Sequence, residues 1–352
     1  MKSITVRASK TYDVIIGKNI LVKAGTIIRK TVGGKAAVTV MDDNVAKIYG
    51  EKLSNSLAAA SYHTLLYIFP HGESSKNTKT FVSLLNFLAK KKITRTDVVI
   101  ALGGGVTGDL AGFAAACYMR GIRFVQMPTT LLAAVDSSVG GKTAVDLTAG
   151  KNLAGAFYQP DLVLCDVSVL STLPATVFRD GCAEVIKHGM IADKVLFNLL
   201  KVPIQAQMEK IIARNVKIKS GIITEDEFEK DRRKLLNFGH SVGHAIELLS
   251  GYSLSHGQAV AAGMAIITRA AFRMGLCGKK CLSELLQMLE RYNLPVNTKY
   301  KAGAIAKACL SDKKRDGDIF TLVFPLKIGT CILKNIPVND LEKVIQYGLE
   351  ES

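Results

Sequence analysis

The side chains best suited to chemistry in this sequence are imidazoles and carboxylates in its second half. His240 and His244 stand four residues apart in LLNFGHSVGHAIE, so on a helix both imidazoles share one face. His256 follows in the short loop SLSHGQ, and Glu184 lies in GCAEVIKHG. Two imidazoles and a carboxylate suit a divalent ion of the zinc type and leave positions for substrate oxygens. Spacing alone favours His240 and His244 as the imidazole ligands, and no spacing rule connects Glu184 to them.

Two glycines lie beside His240 and His244 in the sequence. Gly239 and Gly243 keep the neighbouring surface small, and we expect this to leave room for a ligand. The alternative is a pair of polar surface histidines, or of core histidines with satisfied hydrogen bonds.

A second candidate site is a glycine-rich loop in the first half. Gly103, Gly104 and Gly105 end an apolar strand and precede VTGDLAG, which reads as a helix start. Glycines there let the backbone approach a pyrophosphate, and the helix N-terminus supplies free N–H groups. The spacing is not the G-x-G-x-x-G fingerprint, so a tight structural turn remains an alternative. Asp42 ends another strand, where its carboxylate could accept hydrogen bonds from a ribose, and the pair Thr129–Thr130 follows a further strand end, where the hydroxyls could reach the adenosine or phosphates.

Several cations are candidates for binding an anionic substrate, although for each one taken alone a solvated surface charge is the favoured interpretation. They are Lys142, Lys151, Lys187, Lys219, Arg120, Arg233 and the triplet Asp312–Lys313–Lys314. The segment GGKT (140–143) resembles the tail of a P-loop, but position 136 is Asp136 instead of the required glycine, which excludes an ATPase of that type.

The secondary-structure elements that must position these residues are alternating strands and helices in the first half of the chain and mainly helices in the second half. Apolar runs predict strands, and the stretches between them have helical period, which indicates a parallel Rossmann-like sheet with ligands at its carboxyl edge. Later segments predict long helices, followed by one hairpin. We therefore predict an α/β domain over 1–172 and a mainly α-helical, metal-binding domain over 173–352. The strands are 36–43, 63–69, 97–105 and 124–130, the later helices include 177–200 and 256–275, and the hairpin is 319–336.

Composition narrows the class of protein. The 352 residues are 48% hydrophobic and 22% charged, as in ordinary globular proteins, and no apolar run reaches the roughly 18 residues of a membrane span. The N-terminus does not read as a signal peptide, and the seven cysteines are scattered, so we expect a cytoplasmic protein. The net charge of +16 would fit nucleic acid, a membrane surface or an anionic substrate. Because the basic residues are dispersed and tryptophan is absent, nucleic-acid binding is disfavoured, and we also expect no membrane partner.

Seven segments, in order across most of the chain, resemble the signature blocks of the 3-dehydroquinate synthase family, within the sugar phosphate cyclases. They are GGGVTGDLAGFAAACYMRGIRFVQMPTTLLAAVDSSVGGKTAVD (103–146), GKNLAGAFYQP (150–160), TLP (172–174), GCAEVIKHG (181–189), RKLLNFGHSVGHAIE (233–247), HGQAVAAGM (256–264) and DKK (312–314).

The resemblance implies a role for each matched position. It assigns the divalent metal, zinc or cobalt, to Glu184, His240 and His256, and gives His244 to substrate contact and proton transfer, against the expectation from spacing. It implies an NAD site in the first domain at Asp42, Glu73, Lys76, Gly104, Gly105, Asp109, Thr129, Thr130, Asp136, Ser137, Lys142, Lys151 and Thr172. The substrate positions are Arg120, Lys142, Asn152, Lys187, Lys219, Arg233, Asn237, His244 and Lys313 or Lys314, of which Lys142, Lys187, Asn237 and His244 are expected to be catalytic.

The reaction implied by the resemblance converts 3-deoxy-D-arabino-heptulosonate 7-phosphate to 3-dehydroquinate. It comprises transient oxidation by NAD, β-elimination of phosphate, re-reduction, ring opening and aldol closure. Arg120 would reach a neighbouring subunit's site, so a homodimer is expected. The alternatives are a polyol dehydrogenase on the same scaffold, which would accumulate NADH, a cyclase for a sugar phosphate without a carboxylate, and a nucleic-acid-binding protein.

Overall fold

The computed structural model describes residues 1–311, 315–316 and 318–350, which divide into two compact units. The first unit comprises Met1–Pro174 and Met208–Phe228, and the second comprises Ala175–Gln207 and Glu229–Ser352. Within the described residues, no helix is both long enough and apolar enough to cross a membrane.

The segment Met208–Phe228 corrects the predicted domain organisation, which placed every residue after 172 in the second domain. Its helix, Met208–Glu225, packs against the first two strands of the chain. The buried side chains of that helix include Ile211, Ile212 and Val216. Burial of this apolar face therefore assigns the segment to the first unit, although it is distant in sequence.

The first unit is built on a seven-stranded sheet in the order β1-β2-β9-β6-β5-β3-β4, in which every neighbouring pair is parallel except β1 and β2. The strands are β1 (Lys2–Val6), β2 (Tyr12–Gly17), β3 (Ala36–Asp42), β4 (His63–Phe69), β5 (Val98–Gly103), β6 (Arg123–Pro128) and β9 (Leu162–Asp166), with β7 (Lys142–Leu147) and β8 (Gly150–Phe157) in a separate antiparallel hairpin. With helices numbered along the whole chain, those of this unit are α1 (Ala24–Thr31), α2 (Asp43–Val45), α3 (Glu51–Ala59), α4 (Thr78–Lys90), α5 (Gly105–Cys117) and α8 (Met208–Glu225).

The core of this unit explains why the apolar runs form a central parallel sheet. Val38 of β3, Val99 of β5 and Phe124 of β6 are fully buried, and Leu110 of α5 packs against them. Strands covered on both faces read as continuous apolar runs, which is the pattern of the sequence. The predicted parallel sheet is confirmed, whereas the β7–β8 hairpin was not predicted.

The sheet has a switch point between β3 and β5. These strands are neighbours, and the next strands along the chain, β4 and β6, lie on their outer sides. In open α/β sheets, ligands bind at the carboxyl edge beside such a point. Asp42 ends β3 and Gly103 ends β5, so the predicted glycine loop lies at this edge.

The second unit is mainly helical, as predicted. Its helices are α6 (Ala175–Ala192), α7 (Lys194–Leu199), α9 (His240–Leu249), α10 (His256–Arg273), α11 (Lys279–Arg291), α12 (Ala302–Ser311) and α13 (Leu341–Leu349), with strands β10 (Arg315–Asp316), β11 (Ile319–Lys327) and β12 (Thr330–Pro337). Strands β11 and β12 form the predicted hairpin. The predicted helix 177–200 is interrupted because Asp193 begins a new helix, accepting hydrogen bonds from the N–H groups of Val195 (2.9 Å) and Leu196 (3.0 Å).

Candidate active site

Three helices of the second unit bring the predicted metal ligands together. Glu184 lies in α6, His240 is the first residue of α9 and His256 is the first residue of α10. The Oε1 atom of Glu184 lies 3.4 Å from Nε2 of His240 and 3.3 Å from Nε2 of His256. Glu184 is 1% exposed, so the carboxylate is held inside the unit and aimed at both imidazoles.

His244 belongs to the same cluster. The ligand nitrogens of His240, His244 and His256 lie within 4.8 Å of one another and could themselves hold a metal ion. The ring centroid of His244 is 5.4 Å from that of His240 and 5.6 Å from that of His256. Geometry therefore offers two ligand sets that share His240 and His256, one completed by Glu184 and the other by His244.

The electrostatics of the cluster favour metal-binding forms of two side chains. Burial acts to raise the pKa of Glu184, but Lys187 and then His240 outweigh burial and hold this pKa well below its ordinary value. Burial lowers the pKa of His240 to about 3, so its imidazole is neutral at physiological pH. Burial also acts to lower the pKa of His256, but the carboxylates of Glu184 and Glu247 raise it to about 9.

Lys187 is the buried counter-charge of this cluster. It lies one helical turn after Glu184 on α6, and its Nζ is 2.5 Å from Glu184 Oε2. Both side chains are 1% exposed, so the ion pair is removed from solvent. The predicted substrate residue Lys187 therefore already contacts the predicted metal ligand.

The glycines beside the histidines do not leave room for a ligand, and that expectation is wrong. A Cβ on Gly239, where φ is +77°, would lie 2.4 Å from Met264 Cγ. A Cβ on Gly243 would lie 2.9 Å from the carbonyl oxygen of Ala259. Both contacts are with α10, so the glycines permit close packing of α9 on α10 instead.

Three carboxylates that the sequence did not single out support the predicted residues. Oε2 of Glu247 lies 3.6 Å from Nδ1 of His256. Oδ1 of Asp180 accepts a 2.5 Å hydrogen bond from the hydroxyl of Ser255, the residue that precedes His256. Glu229 Oε1 accepts a 2.6 Å hydrogen bond from Nδ2 of Asn237. Only Glu247 carried a signal in the sequence, because it follows His244 by three residues on the same helix.

The glycine loop of the first unit lies close to other predicted cofactor residues. Gly104 is the residue that caps α5, and a Cβ on it would lie 3.1 Å from Thr130 Cγ2. A Cβ on Gly105 would lie 3.4 Å from the Ser137 hydroxyl. The N–H of Thr129 donates to the carbonyl of Gly103 at 2.9 Å, which ties this loop to the end of β6.

A buried lysine organises a second group of predicted cofactor residues. Lys76 is 4% exposed, and its Nζ lies 2.7 Å from Asn152 Oδ1, 2.9 Å from Glu73 Oε1 and 3.3 Å from Asp109 Oδ2. Burial raises the pKa of Asp109 to about 6, with Lys76 opposing that rise. Lys151 Nζ lies 3.9 Å from Glu73 Oε1. Asn152, expected to contact substrate, is thus joined to residues expected to contact the cofactor.

The remaining cofactor positions have structural partners of their own. Asp42 Oδ1 accepts hydrogen bonds, each of 2.9 Å, from the N–H groups of Asn44 and Val45, so it caps α2. The Thr172 hydroxyl lies 2.7 Å from the hydroxyl of Tyr49. Asp136 pairs with Lys219, whose Nζ also donates to the Asp136 carbonyl at 2.7 Å.

The predicted anion-binding residues differ in burial. Arg233, Lys187 and Lys219 are buried, and Asn237 is half-buried. Lys142, Asn152 and Arg120 are exposed, and Arg120 has a left-handed backbone with φ of 65°. Lys313 and Lys314 lie outside the described residues.

Comparison with known proteins identifies relatives along nearly the whole chain. Models described as 3-dehydroquinate synthase N-terminal and C-terminal match residues 66–180 and 181–315. The 3-dehydroquinate synthase of Streptococcus sanguinis is 41% identical over 95% of this chain and 97% of its own length.

Two solved structures are similar in fold and sequence. The structure of 2-deoxy-scyllo-inosose synthase complexed with carbaglucose-6-phosphate, NAD⁺ and Co²⁺ superposes with a TM-score of 0.89, at 26% identity, over 99% of this chain and 100% of that one. A 2-epi-5-epi-valiolone synthase from Streptomyces hygroscopicus with bound NAD⁺ and Zn²⁺ has a TM-score of 0.87 and 27% identity, with 98% of each chain covered.

Proposed function

The chain belongs to the 3-dehydroquinate synthase family, and from this membership we propose the roles of its residues in the family's reaction. The protein is a phosphate-eliminating cyclase that converts 3-deoxy-D-arabino-heptulosonate 7-phosphate to 3-dehydroquinate in the shikimate pathway. The observation that carries the proposed site is the convergence of Glu184, His240 and His256, from three helices, around one point with His244 beside it.

The residues of the second unit fit a divalent metal. Among the described residues neither oxygen of Glu184 receives a hydrogen bond of good geometry, although both are buried. A buried carboxylate in that state is costly unless a cation compensates it, and Lys187 supplies only part of that compensation, at Oε2. One carboxylate and two imidazoles are the donor set of zinc-type catalytic sites. We assign Glu184, His240 and His256 to a zinc or cobalt ion, which leaves His244 to face the substrate.

The residues of the first unit fit NAD. The loop Gly103–Gly105 has no side chains, and the N-terminus of α5 offers its N–H groups to a pyrophosphate. Asp42 uses Oδ1 to cap α2, and no hydrogen bond from a described residue reaches Oδ2, which can accept one from a ribose hydroxyl. Glu73, Lys76, Asp109, Thr129, Thr130, Asp136, Ser137, Lys142, Lys151 and Thr172 complete the proposed contacts.

When bound, NAD⁺ would accept and return a hydride and the metal would polarise the oxygen of the carbon being oxidised. The protein's own residues bind and orient the substrate. Arg233 can bind a carboxylate or phosphate through two N–H groups, and Lys142, Lys187 and Lys219 act as point charges. Asn152 and Asn237 would donate hydrogen bonds to hydroxyl oxygens, and Lys313 is proposed as a further contact.

His244 is the proposed proton carrier. It lies beside the two imidazole ligands and is half-buried, so its ring nitrogen can exchange a proton with a substrate hydroxyl. Glu229 orients the amide of Asn237, and Asp136 orients Lys219, so these two substrate residues are held in place before binding.

The finer properties of the protein are also proposals. We propose a cytoplasmic homodimer in which Arg120 serves the site of the neighbouring subunit. The exposed side chain of Arg120 supports this assignment. The partner of the basic surface is the anionic sugar-acid phosphate, and neither nucleic acid nor a membrane is a proposed partner.

A coupled assay tests the function. The protein, loaded with zinc or cobalt and supplied with NAD⁺ and the heptulosonate phosphate, is expected to release one phosphate per carbocyclic product without accumulating NADH. Stoichiometric NADH would identify a polyol dehydrogenase and contradict the proposal. Faster turnover of a sugar phosphate without a carboxylate would identify a different cyclase.

A further inference from the structure

The imidazole of His256 lies between two buried carboxylates. Its Nε2 is 3.3 Å from Glu184 Oε1, and its Nδ1 is 3.6 Å from Glu247 Oε2. Glu247 is 7% exposed and lies on α9, seven residues after His240. The same helix therefore supplies one predicted metal ligand and a carboxylate that faces the outer nitrogen of another.

The backbone of His256 is fixed independently of Glu247. Ser255 caps α10 through a reciprocal pair of contacts with Gln258, and its hydroxyl donates to Asp180 at 2.5 Å. A Cβ on Gly257 would lie 2.3 Å from the Cα of Asp180, so the start of α10 is pressed against α6. These contacts place the Cα of His256 but leave the rotation of its ring to its side-chain neighbours.

A histidine that binds a metal through one nitrogen needs an acceptor for the N–H on the other. A carboxylate in that position selects the tautomer, orients the ring and raises the basicity of the ligand nitrogen. The separation of 3.6 Å exceeds hydrogen-bond length by a few tenths of an ångström. A small rotation of the ring toward a bound ion would close it.

We propose that Glu247 is a positioning residue of the metal centre, which holds Nδ1–H of His256 so that Nε2 faces the ion. This inference rests on the proposed metal site. The carboxylate carries this role, while the carbonyl of the same residue accepts hydrogen bonds in the turn after α9, from the hydroxyl of Ser250 (2.7 Å) and the N–H of Tyr252 (3.0 Å).

The test compares the zinc affinity of Glu247→Ala and Glu247→Gln with that of the unchanged protein, by competition with a chromophoric chelator. We expect Glu247→Ala to weaken zinc binding by about 10- to 100-fold. Glu247→Gln keeps an acceptor oxygen and should lose less. The matched control is Glu284→Gln, which removes a helical carboxylate of the same unit that pairs with Lys201 at 3.4 Å, and should bind zinc as the unchanged protein does.

Two further measurements separate positioning from a structural role. The visible absorption spectrum of the cobalt-loaded protein should change in Glu247→Ala, because the ligand geometry changes, and should be largely restored in Glu247→Gln. Urea unfolding of the metal-free variants reports any loss of stability on its own. If Glu247→Ala cannot be folded, Glu247→Gln decides the question. A reduced zinc affinity in Glu247→Gln supports the positioning role, and an unchanged affinity overturns it.

The outcomes distinguish this inference from the metal site itself. Suppose that His256→Ala loses zinc binding while both Glu247 variants bind zinc with an affinity within twofold of that of the unchanged protein. This result would overturn the positioning role of Glu247 and leave the metal site standing. An equal loss in Glu284→Gln would also overturn it. If His256→Ala bound zinc normally, the proposed metal site and this inference would both be wrong.

Discussion

Replacing Lys187 with methionine tests the buried charge of the metal cluster. Lys187 Nζ lies 2.5 Å from Glu184 Oε2, and both side chains are 1% exposed. Removing one partner of a buried ion pair costs about 3–5 kcal/mol, because the remaining charge stays buried. Since His240 and His256 lie within 3.4 Å of the same carboxylate, we expect the lower end, about 3 kcal/mol of unfolding free energy, in the metal-free protein.

The double variant Glu184→Gln, Lys187→Met gives the sharper expectation. If the two side chains acted independently, two losses of about 3 kcal/mol or more would sum to at least about 6 kcal/mol. Because the double variant leaves neither charge behind, we expect it to lose less than either single variant. The difference measures the coupling between the two side chains.

The assay is urea unfolding of the metal-free protein followed by far-ultraviolet circular dichroism, since the chain has no tryptophan to report by fluorescence. The control is Lys280→Met, because Lys280 is 88% exposed and 3.9 Å from Glu284, and such surface pairs contribute about 0–1 kcal/mol. A loss below about 1 kcal/mol in Lys187→Met, or additive losses in the double variant, would refute the reasoning.

The metal ligands, the Lys76 cluster and the start of α10 can each be tested by a single substitution. His256→Ala should lose metal and metal-dependent turnover while its circular dichroism is unchanged, and full turnover would contradict the ligand assignment. Because burial raises the folded-state pKa of Asp109 from 3.8 to about 6, its protonated form favours the fold, and stability is lost as pH rises through about 6. As the pH rises from about 4 to about 8, the free energy of unfolding of Asp109→Asn should therefore increase relative to that of the unchanged protein by up to about 3 kcal/mol. A difference between the two urea midpoints that stays constant across that pH range would contradict this. Gly257→Ala should lower Tm because its Cβ would meet Asp180 at 2.3 Å, whereas Gly278→Ala, with nothing within 4 Å, should not; equal Tm values would contradict the packing argument.

Sequence patterns predicted the parallel sheet because its core strands are continuous apolar runs. The strand predicted at 63–69 is β4 itself. The β7–β8 hairpin was missed because its strand 150–157 alternates small and exposed residues without a strong apolar period. Helix α8 was assigned to the wrong unit because its apolar face identifies a buried side without naming the surface that covers it.

The candidate site could be predicted only in part from spacing. The four-residue interval places His240 and His244 on one face of α9, as observed. Glu184 is on another helix, and its approach to both His240 and His256 depends on how α6, α9 and α10 pack. Gly239 and Gly243 illustrate the same limit, because a missing side chain can serve a ligand or a neighbouring helix, and here it serves the helix.

The most direct test of the metal assignment is diffraction from zinc-loaded crystals on both sides of the zinc absorption edge. We expect one anomalous peak about 2.0–2.2 Å from a carboxylate oxygen of Glu184 and from Nε2 of His240 and His256, with His244 not coordinated. A peak bound by His240, His244 and His256 without Glu184, or no peak at this cluster, would contradict it.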